Sequence, residues 1–315
     1  MRHLLAKLLP FLFLIAIVAV LSLTTKGFAR AGNVSNVLRF SSEIVIIGVG
    51  MTFVIVAGGI DLSVGSVVAF SSIIVGWCMQ AGLPLGISLL VAVASGAAWG
   101  ALNGLMIVWL RLPPFIATLA SMGMASGAAY VLAKAVSGTT TVEIASQGFR
   151  FLALGKLFGF APMPVVIMCI AVALGHYVLN HTRLGRYSVA IGSNVEAARY
   201  TGIPVPRYTL VVYMLSGALA ALGGMIEASF NGNGQAVFGQ GHELRVIAAV
   251  VIGGGSLSGG QGTIIGTLTG ALIMGVIDNG CTLRGLAYEW QLVVISLLII
   301  VAVAFDMYQR RRTGA

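Results

Sequence analysis

The chain has 315 residues, 58% of them hydrophobic and only 9% charged, with a net charge of +9 and a mean hydropathy of +1.00. A soluble domain carries roughly 25% charged residues, so a water-soluble enzyme and a disordered chain are both excluded. What remains is an all-α fold, a polytopic transmembrane helical bundle filling residues 1–315 as one domain. A transmembrane barrel alternates apolar and polar residues and gives a much weaker hydropathy signal.

A helix needs about 20 apolar residues to cross roughly 30 Å of hydrocarbon. On that measure the sequence predicts about ten spans. The first covers 8–23, preceded by Arg2 and Lys7. It reads as a retained span, because Ala29-Arg30-Ala31 is a poor cleavage site. The second covers 37–57 and ends in the break Gly58-Gly59-Ile60-Asp61-Leu62-Ser63-Val64-Gly65. The third (64–80) and fourth (85–109) lie in a run with no charged residue from Leu62 to Leu110, and Pro113-Pro114 precedes the fifth (115–135). Residues 136–161 are more polar and read as an external loop with room for an interfacial helix. The sixth span is 162–181, followed by a basic loop, 182–207, and the seventh span, 208–229. The eighth (244–256) is short and broken by Gly253-Gly254-Gly255. The ninth (263–280) and tenth (288–305) lead to Arg310-Arg311-Arg312. Eight spans with re-entrant segments at the glycine breaks is the alternative.

Ten spans place both termini on one side, together with 10 of the 18 basic residues, concentrated in the 182–207 loop and the tail. The positive-inside rule makes that side the cytoplasm. The pI near 9.9 then reflects topology and anionic lipid headgroups; with no basic-aromatic platform, nucleic-acid binding is not expected. Cys78, Cys169 and Cys281 read as small apolar residues. The four histidines show no metal-ligand spacing, so no metal site is expected.

Glycine makes up 42 of the 315 residues, about double the usual 7%, which fits close helix packing in a membrane. Residues 58–65 echo Gly253-Gly254-Gly255-Ser256-Leu257-Ser258-Gly259-Gly260. Irregular backbone at membrane depth survives only where protein buries it or water lines it, so the two segments are expected to flank a pathway. Leu257-Ser258-Gly259-Gly260-Gln261 spells the signature of ABC ATPases, but the chain contains no phosphate loop and no hydrolase or metalloprotease motif. No catalytic residue or cofactor is assigned.

In the basic loop, Asn194 can cap a short helix through Glu196, Ala197 and Ala198, and Gly202 can end it. Such a helix can dock in a groove of a soluble partner. This loop, the segments Gly58–Ser66, Pro114–Leu119 and Glu243–Gly262, and Asn279-Gly280 and Gln291 together resemble the permease subunits of ribose-type bacterial ABC sugar importers, over about residues 35–306. The resemblance implies a multi-pass inner-membrane protein that acts as two permease copies around one pathway. A periplasmic solute-binding protein feeds it, and a cytoplasmic ABC ATPase subunit binds the ATP and Mg and drives it. The Asn194–Thr201 helix becomes the coupling element, and the Asp61 and 253–262 regions fall near the pathway. The chain departs from relatives at Arg245, where an Asp is common, and at Cys281–Arg284.

An uncharged monosaccharide or polyol needs passage rather than a deep site, so small polar residues suffice. The lining candidates are Asp61, Ser63, Ser66, Asn103, Thr118, Ser121, Ser256 and Asn279. A proton-coupled secondary sugar transporter is the alternative function, and it needs carboxylates deep in the bundle. Asp61 and Asp278 fall at expected span ends, and Glu43 and Glu227 within a turn or two of one. Asp61 is expected to cap the third span.

Overall fold

A computed structural model describes residues 2–287, 289–297, 300 and 304. The helices are α1 (Arg2–Thr24), α2 (Ala31–Val56), α3 (Val64–Gln80), α4 (Leu85–Val108), α5 (Pro114–Ser137), α6 (Gln147–Leu154), α7 (Met163–His181), α8 (Arg183–Ser193), α9 (Val195–Tyr200), α10 (Val205–Asn231), α11 (His242–Ile252) and α12 (Ile264–Leu283). Among the described residues four short strands, β1 (Thr141–Glu143), β2 (Lys156–Leu157), β3 (Ala161–Pro162) and β4 (Asn233–Gln235), form two antiparallel pairs, β1 with β4 and β2 with β3. Residues 289–297 are helical; the rest of the expected tenth span, apart from 300 and 304, and the Arg310–Arg312 tail lie outside the described residues.

The chain is an all-α polytopic membrane bundle. Among the described residues six helices, α2, α4, α5, α7, α10 and α12, are long and apolar enough to cross a bilayer, with shorter apolar helices at Leu9–Thr24 and Val64–Gln80. The expected eighth span is different. Helix α11 has 11 residues, so at 1.5 Å per residue it is only about 16 Å long. Before it the chain is extended only at β4 and turns through residues 236–241, and it runs alongside α3. A Cβ on Gly234 would strike the Ser72 carbonyl, and one on Gly239 the Gly65 carbonyl. Strand, turn and helix together run from the Gly232 end of the bundle toward the Gly260 end.

Connections gather at two ends. At one end Ile60, Thr118, Gly192, Gly259 and Gly260 lie together. At the other, Thr24 meets Arg284, Asn33 meets Asn279, Gln80 meets Glu143, and Ile144 meets Gly232. Helix α2 is the hub, with an unbroken buried stretch from Val45 to Val56. Helices α4 and α10 pack backbone to backbone. A Cβ on Gly96 would collide with the Gly217 carbonyl, and one on Gly100 with that of Tyr213.

The two glycine breaks share one helix-ending motif. At the end of α2, Gly58 N–H donates to Ile55 O (2.9 Å) and Gly59 N–H to Val54 O (2.9 Å). At the end of α11, Gly254 N–H donates to Val251 O (2.9 Å) and Gly255 N–H to Val250 O (2.8 Å). Gly58 and Gly254 hold the left-handed φ values of +79° and +87° that this motif requires. Structurally, therefore, Gly58 matches Gly254, one position away from the register of the sequence echo, which pairs it with Gly253.

Candidate functional site

Helix α9 is short and exposed, and its local sequence explains it. Asn194 accepts the Ala197 N–H on its side chain at 2.9 Å, and Glu196 pairs with Arg199 at 3.0 Å. The C-terminus closes through Gly202 N–H to Arg199 O (3.0 Å) and Ile203 N–H to Ala198 O (3.1 Å), with Gly202 at φ +80°. Ala198 is buried with Ile191 and Val205, against Ile203 and Tyr208. Glu196, Ala197 and Arg199 face outward and Tyr200 is 88% exposed. The exposed face therefore sits on a small fixed base.

A second site is the polar knot at Asp61. Its Oδ1 accepts from Ser63 N–H (3.0 Å), Ser63 Oγ (2.7 Å) and, at longer range, Asn103 Nδ2 (3.4 Å). Its Oδ2 accepts from Ser216 Oγ at 2.8 Å. Asn103 also donates to Ser63 Oγ at 2.8 Å. The neighbouring Ile60 carbonyl accepts from Thr118 Oγ1 (3.2 Å) and Tyr213 OH (3.3 Å). All of these side chains are buried. The N-cap of α3 is Ser63, not Asp61. Asp61 instead satisfies the amide of that cap residue from two positions upstream, a local side-chain-to-backbone turn. A buried carboxylate is tolerable only when its lone pairs are filled by donors, and the cap residue of α3 together with α4 and α10 supplies them here.

The knot unites four of the expected lining residues, Asp61, Ser63, Asn103 and Thr118. Ser121 is buried on α5 with its hydroxyl unpartnered among the described residues, and Ser66 is half-buried on the first turn of α3. Ser256 lies in the other break, where its hydroxyl accepts the Ser258 N–H at 3.1 Å. Asn279 is far from these and exchanges amide hydrogen bonds with Asn33 at 2.8 and 2.9 Å.

A third cluster was not visible in the sequence. His242 Nδ1 lies 3.2 Å from Glu43 Oε1, their side chains 16% and 15% exposed. Glu227 closes the group, with ligand atoms of all three within 4.8 Å of one another. Nearby on α11 and α12, Arg245 pairs with Asp278 at 3.2 Å. Glu43 was expected within a turn or two of a helix end. Because α2 starts at Ala31, it lies more than three turns from either end.

The family described as "Branched-chain amino acid transport system / permease component" matches residues 33–303. The chain belongs to this permease family. The permease is 40% identical over 300 residues to the ribose import permease protein RbsC of Escherichia coli, covering 95% of this chain and 92% of that one. It is 37% identical to the fructose import permease protein FrcC of Rhizobium meliloti, covering 94% and 85%. It is 36% identical to the D-allose transport system permease protein AlsC of Escherichia coli, covering 93% and 90%. No solved structure matches it.

Sequence reasoning missed Ser216 and Tyr213 in this permease. Both sit on α10, more than 150 residues from their partners. A lone Ser or Tyr in an apolar helix carries no local mark of such a role.

Proposed function

We propose that the chain is the inner-membrane subunit of an ATP-driven importer, forming the pathway for a monosaccharide, polyol or related small polar solute. The relatives named for ribose, fructose and allose support the sugar class, since the chain aligns with each over nearly its full length. The subunit itself is non-catalytic. A cytoplasmic ABC ATPase binds ATP and Mg, a periplasmic binding protein delivers solute, and a second permease copy completes the pathway.

The observation that carries the reading is α9, a rigid, doubly capped and outward-facing helix between two spans. In this account it is the coupling helix, with Asn194 and Gly202 fixing its ends, Ala198 seating it, and Glu196 and Ala197 meeting the ATPase. Its end of the bundle is cytoplasmic. The contacts between helix ends support nine crossings through α12, the eighth made by β4, the turn at 236–241 and α11; a tenth, entered by the helix at 289–297, puts both termini on that side. Residues 136–161, with α6 and β1, then form the external cap.

The Asp61 knot acts as a latch that holds the α2–α3 break against α4, α5 and α10. Solute passes along the more accessible polar faces, those of Ser66, Asn279 and the Glu43–Glu227–His242 and Arg245–Asp278 groups. Charged side chains within a membrane face the bundle interior or water rather than lipid, and these are only partly covered by their own chain. The test is uptake of labelled ribose, fructose or allose into proteoliposomes holding the permease, its ATPase and its binding protein. ATP-dependent accumulation is expected. Accumulation by the permease alone under a proton gradient would instead establish the secondary-transporter reading.

A further inference from the structure

Where α8 turns into α9, the backbone touches both glycine breaks at once. Asn194 is both the last-turn cap of α8 and the N-cap of α9, so no slack residue separates the two helices. Two positions earlier is Gly192. A Cβ there would strike the Val56 carbonyl and come within 2.6 Å of Gly260 N. A Cβ on Gly259 would lie 2.5 Å from Gly192 O and 2.9 Å from the Gly58 Cα. Gly260 N–H donates to Val56 O at 2.9 Å, which ties the end of α2 to the loop between α11 and α12. Three distant segments thus meet largely main chain on main chain, with the Ser193 side chain against Gly260.

This geometry differs from ordinary helix packing. Side chains between two elements can change rotamer and absorb a small displacement, whereas backbones in direct contact cannot. The neighbouring Ile60 and Asp61 are bound in turn to α4, α5 and α10 through Asn103, Thr118, Tyr213 and Ser216.

We propose that Gly192 is a positioning residue for coupling: with Gly58, Gly259 and Gly260 it fuses α8 and α9 to both breaks, so that a push on α9 moves the ends of α2 and α11 as one body. The proposal rests on the reading of α9 as the coupling helix and specifies where its motion goes.

The decisive quantity is the number of solute molecules moved per ATP hydrolysed by the assembled importer in proteoliposomes. This ratio does not depend on how much protein folds. In Gly192→Ala it is expected to fall at least tenfold, because the added methyl wedges the junction apart. A ratio within twofold of the wild type overturns the proposal. Should wild-type protein itself show no ATP-driven uptake, the functional reading fails instead. A second measurement, on the wild-type importer, covers poor folding of the variant. The Gly260 N–H bonded to Val56 O is expected to keep its protection from hydrogen exchange within twofold in the ATP-bound and nucleotide-free states. Protection lost in either state would show the segments moving past each other, which overturns the proposal.

Discussion

Ser216 donates its hydroxyl to the Asp61 carboxylate at 2.8 Å across 155 residues of chain. This bond ties the irregular α2–α3 connection to the long helix α10, and both groups are shut off from solvent. A hydrogen bond to a charged group contributes about 1.5–3 kcal/mol. Ser216→Ala is therefore expected to cost about that much, and Asp61→Ala more, since it strands the donors of Ser63, Asn103 and Ser216 together. Thermal unfolding in detergent checks the order, with Asp61→Ala less stable than Ser216→Ala. Equal stability of both variants and the wild type would contradict the latch.

The exposed face of α9 gives the second prediction. Ala197→Arg and Glu196→Arg leave Asn194, Gly202 and the seat of Ala198 untouched, so insertion and yield are expected to stay at wild-type level. Uptake is expected to fall at least tenfold, with reduced co-purification of the ATPase. Normal uptake in both variants would remove α9 from the coupling interface.

Glycines on different faces are expected to behave in opposite ways. A side chain on Gly100 would run into the Tyr213 backbone, while Gly127 on α5 has nothing within 4 Å. Gly100→Val is expected to prevent the α4–α10 contact and abolish folded yield in detergent. Gly127→Ala removes a flexible residue from a helix interior and is expected to be neutral or stabilising by about 0.5–1 kcal/mol. Size-exclusion profiles and melting curves separate the two.

The charged group around His242 tests the path itself. Ile170 on α7 is 54% exposed in the single chain, far more than His242, yet Ile170 lies on an apolar face and His242 among ionisable groups. In a background lacking native cysteines, His242→Cys is expected to react with a membrane-impermeant thiol reagent at least tenfold faster than Ile170→Cys. The reverse order would place the charged group away from water.

Legibility in the sequence followed locality. Helix α9 was readable because its caps, Asn194 and Gly202, lie within a few residues of what they satisfy. The long helices were readable from hydropathy, which sums over many residues. The crossing that contains α11 was read as a short broken helix. Its first half is a short strand and a turn packed against Ser72 and Gly65, and no periodicity marks that. The Asp61 knot was half legible: Asp61 and Ser63 are local, and Asn103 and Thr118 stood out as polar residues in apolar runs. Ser216 and Tyr213 could not be paired with Asp61 without the packing of α10. Glu43 looked like a residue near a helix end because the polar first residues of α2, 31–36, carry too little hydropathy to extend the expected span back from 37.

The central claim is that this permease moves a sugar or polyol only when ATP is hydrolysed by a partner. Its most direct test is accumulation of labelled ribose, fructose and allose by proteoliposomes that hold the permease, ATPase and binding protein, with and without ATP. The account predicts accumulation above the external concentration with ATP and none without it. Accumulation without ATP, driven by an imposed proton gradient, would contradict it.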